Sequence, residues 1–327
     1  MPMVARPRRR ALLIAALGAP PLAGAARAQP PGPYPGRPVR LIAPFPPGGG
    51  VDLTARLLAE PLSRELGQPV VVENRAGAGG VIGVEAMARS APDGHTLSLT
   101  GAGTVTAGPH LRRLPYDPFA LRHVTRLVRM PFVVAVRTDL PAATLAEFMA
   151  LARRQEVRWA SGGIGTSQHL AGELFKQMSG LPIVHVPYRG TGPALNDLAA
   201  RVVDAYFGDP ATLGLIQNGQ ARALAVTSPE RWRLLPDTPA VAEAVPGYQA
   251  ENWYGLAAPP GTSEEVVALL SDRVRKVMAD PATARRFDEA GLHPATLPLE
   301  DYLAHLRRDS ETWGRVVRDG NIRIDGE

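Results

Sequence analysis

Short apolar runs rich in β-branched residues alternate with amphipathic stretches along this 327-residue chain, and that alternation restricts it to strands joined by helices. Val39 to Phe45, Pro69 to Asn74 and His95 to Thr100 read as strands bounded by Gly, Pro and Asp-Gly. The helical stretches Asp52 to Leu66 and Val81 to Arg89 lie between them, which predicts a βαβαβ lobe with a parallel sheet. Pro61 falls inside the first helix, where its missing N–H predicts a kink or a split.

A second series follows the proline-rich LPYDPF (Leu114 to Phe119). Phe132 to Val136 reads as a strand, Leu145 to Arg154 as a helix, VRWAS as a strand, and Ser167 to Ser179 as a helix with Leu170, Leu174 and Met178 on one face. IVHVPY, VVDAYF and RALAVTS complete a second α/β lobe. Near the end, Thr262 and Glu265 have the spacing of a capping box, followed by the stripe Val266, Leu270, Val274 and Val277. That stripe needs a sheet to cover, so the chain beyond about residue 250 is expected to return to the first lobe. The expected organisation is α/β with two lobes, each a mixed, mostly parallel sheet flanked by helices: 29–130 with 251–327, and 131–250. A ligand cleft lies between them, the lobes parting near 128–132 and rejoining near 248–256.

Residues 1–28 have the layout of a signal peptide: Arg6, Arg8, Arg9 and Arg10, the apolar run Ala11 to Ala19, then Ala26-Arg27-Ala28, which would leave Gln29 first in the mature chain. The paired arginines also admit the twin-arginine route. Removal takes five arginines and no acids, so 36 Lys+Arg against 31 Asp+Glu becomes 31 against 31, and the basic excess that would attract nucleic acid disappears. With no cysteine, the exported chain must be held by an ordinary core. The expected location is the periplasm.

The segment PFPPGGGVDLTAR (Pro44 to Arg56) joins a strand to a helix. Its glycines let backbone approach a ligand, and the helix start favours an anion. SGGIGTSQHLAGELF (Ser161 to Phe175) repeats the arrangement in the second lobe, and two such ends suit a ligand with a carboxylate at each end. Candidate ligand contacts are Phe45, Pro47, Gly48, Gly49 and Asp52 in the first turn, and Ser161, Gly165, Thr166, Ser167 and His169 in the second. Asn74, Thr100, Tyr188 and Asp209 join them from other strand ends. Ser161, Thr166 and Ser167 serve equally well as helix caps, and His169 as a packed histidine. No Gly-Lys-Ser/Thr follows the first turn, and GAGGVIG (Gly77 to Gly83) misses the dinucleotide spacing, so no cofactor or metal is expected.

Taken in order, PFPPGGGVDLTAR, GQPVVVENRAGAGGVIG, APDGHTL, LPYDP, SGGIGTSQHLAGELF, VPYRGTGPALNDL, ALAVTS with RWRLLPDTPAVAEA, and WYGLAAPPGT resemble the substrate-binding receptors of tripartite tricarboxylate transporters, the Bug family. The resemblance implies a type II periplasmic-binding-protein fold, a small carboxylate ligand (a di- or tricarboxylate, an amino-acid-like or an aromatic acid) and delivery to membrane permease subunits. It implies that PFPPGGGVD holds one carboxylate through backbone groups and that SGGIGTS serves the other end. The chain is expected to act as a monomer, with no nucleic-acid partner. The residues after PYDP depart from the family pattern, which commonly has an acid there. The competing classes are an enzyme acting on a similar acid and a ligand sensor for a signalling partner; no G-x-S-x-G or H-E-x-x-H is present for the first.

Overall fold

The computed structural model describes residues 34–324, so the expected signal peptide and Gln29 lie outside the described residues. One sheet takes β1 (Val39–Ala43), β2 (Val70–Asn74), β3 (Thr96–Gly101), β4 (Arg122–Pro131), β10 (Glu251–Ala258) and β11 (His293–Pro294), in the order β11-β4-β10-β3-β1-β2. A second takes β5 (Val133–Arg137), β6 (Arg158–Ser161), β7 (Val184–Pro187), β8 (Ala205–Gly208) and β9 (Ala221–Val226), in the order β7-β6-β8-β5-β9. The first sheet is not purely parallel. β1 pairs in parallel with β2 and β3, while β10 lies antiparallel between β3 and β4. In the second, β6 is parallel to β7 and β8, and β5 is antiparallel to β8 and β9.

Helices cover both sheets: α1 (Gly50–Leu66) and α2 (Val81–Ala88) in the first crossovers, α3 (Ala102–Val105) and α4 (Gly108–Leu111) after β3, and α5 (Leu145–Ala152), α6 (Ser167–Ser179), α7 (Thr191–Ala199) and α8 (Thr212–Gln217) around the second sheet. α9 (Glu264–Ala279), α10 (Pro281–Glu289) and α11 (Leu299–Asp319) end the chain.

Two expectations need correction. α1 runs unbroken through Pro61, which is buried beside Leu58, Ala59 and Leu62 on the core-facing side, so packing against the sheet offsets the lost helical hydrogen bond. The cap of α9 is Ser263, not Thr262: the Ser263 hydroxyl accepts from Val266 N, while the buried Thr262 hydroxyl donates to the Pro259 carbonyl at 2.8 Å. The C-terminal helices return to the first sheet. α9 and α10 cover it through Leu270, Val274, Val277 and Phe287 packed with Leu58 and Leu97. α11 lies against β4 and packs Tyr302 on Trp253 of β10, and its Tyr302, Leu306, Trp313 and Val316 also join a core shared with Phe175 of α6 and Phe207 of β8. Gln177 of α6 donates to the Val316 carbonyl at 3.0 Å, tying α6 to α11.

Close helix–sheet packing of the second sheet depends on Gly172 of α6, where a Cβ would run into the Trp159 ring of β6. Gly172→Ala is therefore expected to lower stability by about 1–3 kcal/mol through overpacking, more than the roughly 0.5–1 kcal/mol that alanine gains in a helix. Gly192→Ala, in open space on α7, should leave stability unchanged or raised in the same denaturant titration. Equal midpoint shifts for the two variants would contradict this packing.

Candidate functional site

β1 ends at Ala43, and α1 begins seven residues later with Gly49 as its N-cap and no side-chain cap. Its first-turn amides are therefore left for another partner, which is how a helix start accepts an anion. The loop that presents them is held from beneath by Asp52. Its carboxylate accepts from Gly48 N at 2.9 Å, from the Asn74 amide at 2.8 Å and from the Arg56 Nε at 3.0 Å. Asn74 also donates to the Phe45 carbonyl at 3.1 Å. Asp52 is 4% exposed, so it and Asn74 shape the turn from inside. Phe45, Pro47, Gly48 and Gly49 form its outer surface. Gly48 has φ +88°, a conformation side chains resist. The Phe45 ring lies on Gly80, the N-cap of α2, where a Cβ would come within 2.9 Å of it.

The second turn leaves β6 at Ser161 and enters α6, with Thr166 as N-cap accepting from His169 N at 3.3 Å. Thr166 also donates to the Gly163 carbonyl at 2.7 Å, and Gly165 N donates to His169 Nδ1 at 3.1 Å. Ser161 is fully buried, its Oγ 2.7 Å from His185 Nε2 and 3.1 Å from Gly163 N. His185 stacks on His169 with ring centroids 4.1 Å apart. Burial pushes His169 down to about 4 and His185, with the nearby His169 and Lys176, down to about 3, so both rings are neutral at ordinary pH. Thr166, His169 and Ser161 thus build the turn. Gly165 and Ser167 lie on it, with Gly165 close to Leu111 of α4 and to Ile324.

Asp209, at the end of β8, accepts from Gln168 at 3.1 Å and Thr191 at 3.0 Å, and burial raises its affinity for a proton. Tyr188 follows β7, its N–H donating to the Ser161 carbonyl and its hydroxyl 2.6 Å from Asp197; burial and that carboxylate push it up to about 12. Thr100 is not gathered with the others. It is 2% exposed, and its hydroxyl has no hydrogen-bond partner among the described residues.

One residue at the first turn was not singled out from the sequence. Tyr254 of β10 lies against it, a Cβ at Gly50 falling 3.1 Å from its hydroxyl, and burial, with Asp209 adding to it, raises the hydroxyl's affinity for its proton. Gln168 and Thr191, which hold Asp209, were likewise missed. Their only sequence signal is a place in the first turn of a helix that follows a strand-end turn. Among the described residues no group of three or more His, Cys, Asp or Glu could hold a metal ion.

The Asp52 clamp has a pH signature. Arg56, then the Gly48 N–H and Asn74 amide, hold its carboxyl at about 2 against burial, below its ordinary 3.8. A lowered folded-state value stabilises fully above the unfolded value and is lost as pH falls through the folded one. Asp52→Ala is therefore expected to cost about 1–3 kcal/mol near neutrality. The gap from the wild type should close as pH falls from about 4 to about 2. A gap that is constant with pH, measured by denaturant titration, would contradict the clamp.

Comparison with known proteins places this geometry. The model of the tripartite tricarboxylate transporter family receptor matches residues 54–322. Protein BugT of Bordetella pertussis is 36% identical over 299 residues, covering 89% of this chain and 91% of the relative. A solved periplasmic transporter is 37% identical at a TM-score of 0.80, covering 89% of this chain and 100% of its own. An R. palustris protein solved with adipate is 33% identical, also at a TM-score of 0.80, with the same coverage of 89% and 100%. With the family model spanning most of the chain and the fold shared over nearly all of it, this protein belongs to the tripartite tricarboxylate transporter receptor family, the Bug proteins.

Proposed function

We propose that this chain captures a small dicarboxylate between its two glycine-rich turns in the periplasm and hands it, chemically unchanged, to the membrane permease of a tripartite transporter. The observation that carries the reading is the uncapped start of α1 beneath the exposed Gly48 and Gly49, with the Tyr254 hydroxyl beside Gly50. Backbone N–H groups at Gly49 and Gly50 hold one carboxylate, and the start of α6 holds the other through the Ser167 N–H, beside Gly165 and Thr166, whose own N–H groups are engaged within the turn. Phe45, Pro47 and Tyr188 form the rim, while Asp52, Asn74, Ser161 and His169 keep the turns in shape. Residues 29–130 with 251–327 act as one lobe and 131–250 as the other, closing around the ligand. Residues 1–28 direct export. The adipate held by the R. palustris relative is the kind of ligand this arrangement suits.

The one contact that favours an enzyme is Ser161 Oγ against His185 Nε2 at 2.7 Å, the pairing of a nucleophile and its base. Burial argues against it: Ser161 has no exposed surface, and a histidine held near 3 is a poor base at neutral pH.

A thermal-shift panel of mono-, di- and tricarboxylates identifies the ligand, since occupancy at about 100 times the dissociation constant adds about 2.7 kcal/mol. Calorimetry with that acid then compares two variants. At Gly49 an added Cβ meets nothing nearer than the Pro46 carbonyl at 4.0 Å, so Gly49→Val folds, yet its side chain blocks approach to the amides and should abolish binding. Ser161→Ala removes bonds within the turn and should weaken binding roughly tenfold or less. A folded Gly49→Val protein with unchanged affinity would overturn the proposal, as would a panel in which no acid stabilises the chain.

A further inference from the structure

Successive side chains of a strand point to opposite faces, and on β10 this separates two regions. Tyr254 faces the first turn, whereas Trp253 lines a cavity of about 830 Å³ bounded by the C-terminal half of α6, the segment around Gln249 and one face of α11. The helix face is regular: His305, Arg308, Thr312, Arg315 and Asp319 recur at three- and four-residue spacing and all line the cavity. Arg126 and Arg129 enter from β4.

The charges there do not balance. Arg129 pairs with Glu251 at 3.2 Å. Asp309 is taken up by the Thr106 hydroxyl at 2.6 Å and the Trp253 Nε1 at 3.0 Å. Arg126 donates its Nε to the Ala295 carbonyl at 2.9 Å, with Glu251 and Asp309 acting on its charge. Among the described residues the guanidinium groups of Arg308 and Arg315 make no hydrogen bond or ion pair, so the four arginines of the cavity face the three acids Glu251, Asp309 and Asp319. Gln177 and His305 add polar atoms, and Trp253 and Trp313 supply flat apolar wall. Planar forks of this kind match carboxylate and phosphate oxygens.

We propose that this cavity is a second anion site, distinct from the turns, which takes a multiply charged oxyanion, either a polycarboxylate or phosphate, on Arg126, Arg308 and Arg315. The site does not depend on which acid the turns accept.

Calorimetry on the Gly49→Val protein, with the front turn obstructed, tests it with citrate and with inorganic phosphate at matched ionic strength, using chloride as the reference. Binding is expected for at least one of the two, with a change in tryptophan fluorescence from Trp253 and Trp313. Arg308→Gln with Arg315→Gln should weaken that binding by at least about tenfold, the loss of charge-assisted hydrogen bonds. Both side chains are exposed, so the double variant should keep its fold, which circular dichroism verifies, and Arg308→Lys with Arg315→Lys should recover part of the affinity. A response to citrate preferred over phosphate assigns a polycarboxylate, and the reverse assigns phosphate. Neither anion binding more than chloride, or affinity unchanged in the double Gln variant, would overturn the proposal.

Discussion

A buried, ionised carboxylate sets the shape of the first turn. Asp52 is on the first turn of α1, where a negative charge is favoured by the helix dipole, and it turns inward to hold Gly48 N and Asn74. Arg56, one helical turn on, neutralises it. The result is a loop whose outer surface is backbone, with glycine where a side chain would intrude, and whose inner surface is fixed by a charged hydrogen-bond network. The second turn reaches a similar outcome with neutral groups: Thr166, Ser161 and a stacked pair of uncharged histidines. Neither turn carries a lysine or arginine, so anion selectivity in the proposed site rests on oriented amides rather than on fixed charge.

The parts of the fold readable from the sequence were those with a single dominant local signal. β1, β2, β3 and the α6 start each combine an apolar β-branched run with glycine or a capping hydroxyl. β4 gave no such signal. Arg122, Arg126 and Arg129 interrupt it at helix-like spacing, and its pairing with β10 is irregular, with register shifts at Tyr254/Gly255 and Leu256/Ala257. The strand persists because Arg126 and Arg129 find partners that only the folded chain supplies, Ala295 and Glu251. The contact of α11 with the second sheet was hidden for a related reason. Its apolar face shows that it is buried but not against what, and it serves both sheets. Tyr254 is invisible as a site residue for the same cause, since its importance comes from touching a turn some two hundred positions away.

β10 emerges as the element on which the two regions of interest depend. It returns the chain from the second sheet to the first, fills the position between β3 and β4, and places Tyr254 and Trp253 on opposite sides. Through Asp309, Trp253 is also bonded to α11, the helix that packs on both sheets. Movement of one sheet relative to the other would therefore be felt on both faces of the same strand.

The central claim is that backbone amides of both turns hold one acid together. The most direct measurement is the change in amide chemical shifts of the ¹⁵N-labelled protein as a dicarboxylate such as adipate is added. The account predicts that Gly49 and Gly50 move together with Gly165, Thr166 and Ser167 along a single saturation curve. Shifts confined to one turn, or to the residues around Trp253 and Arg308, would contradict it.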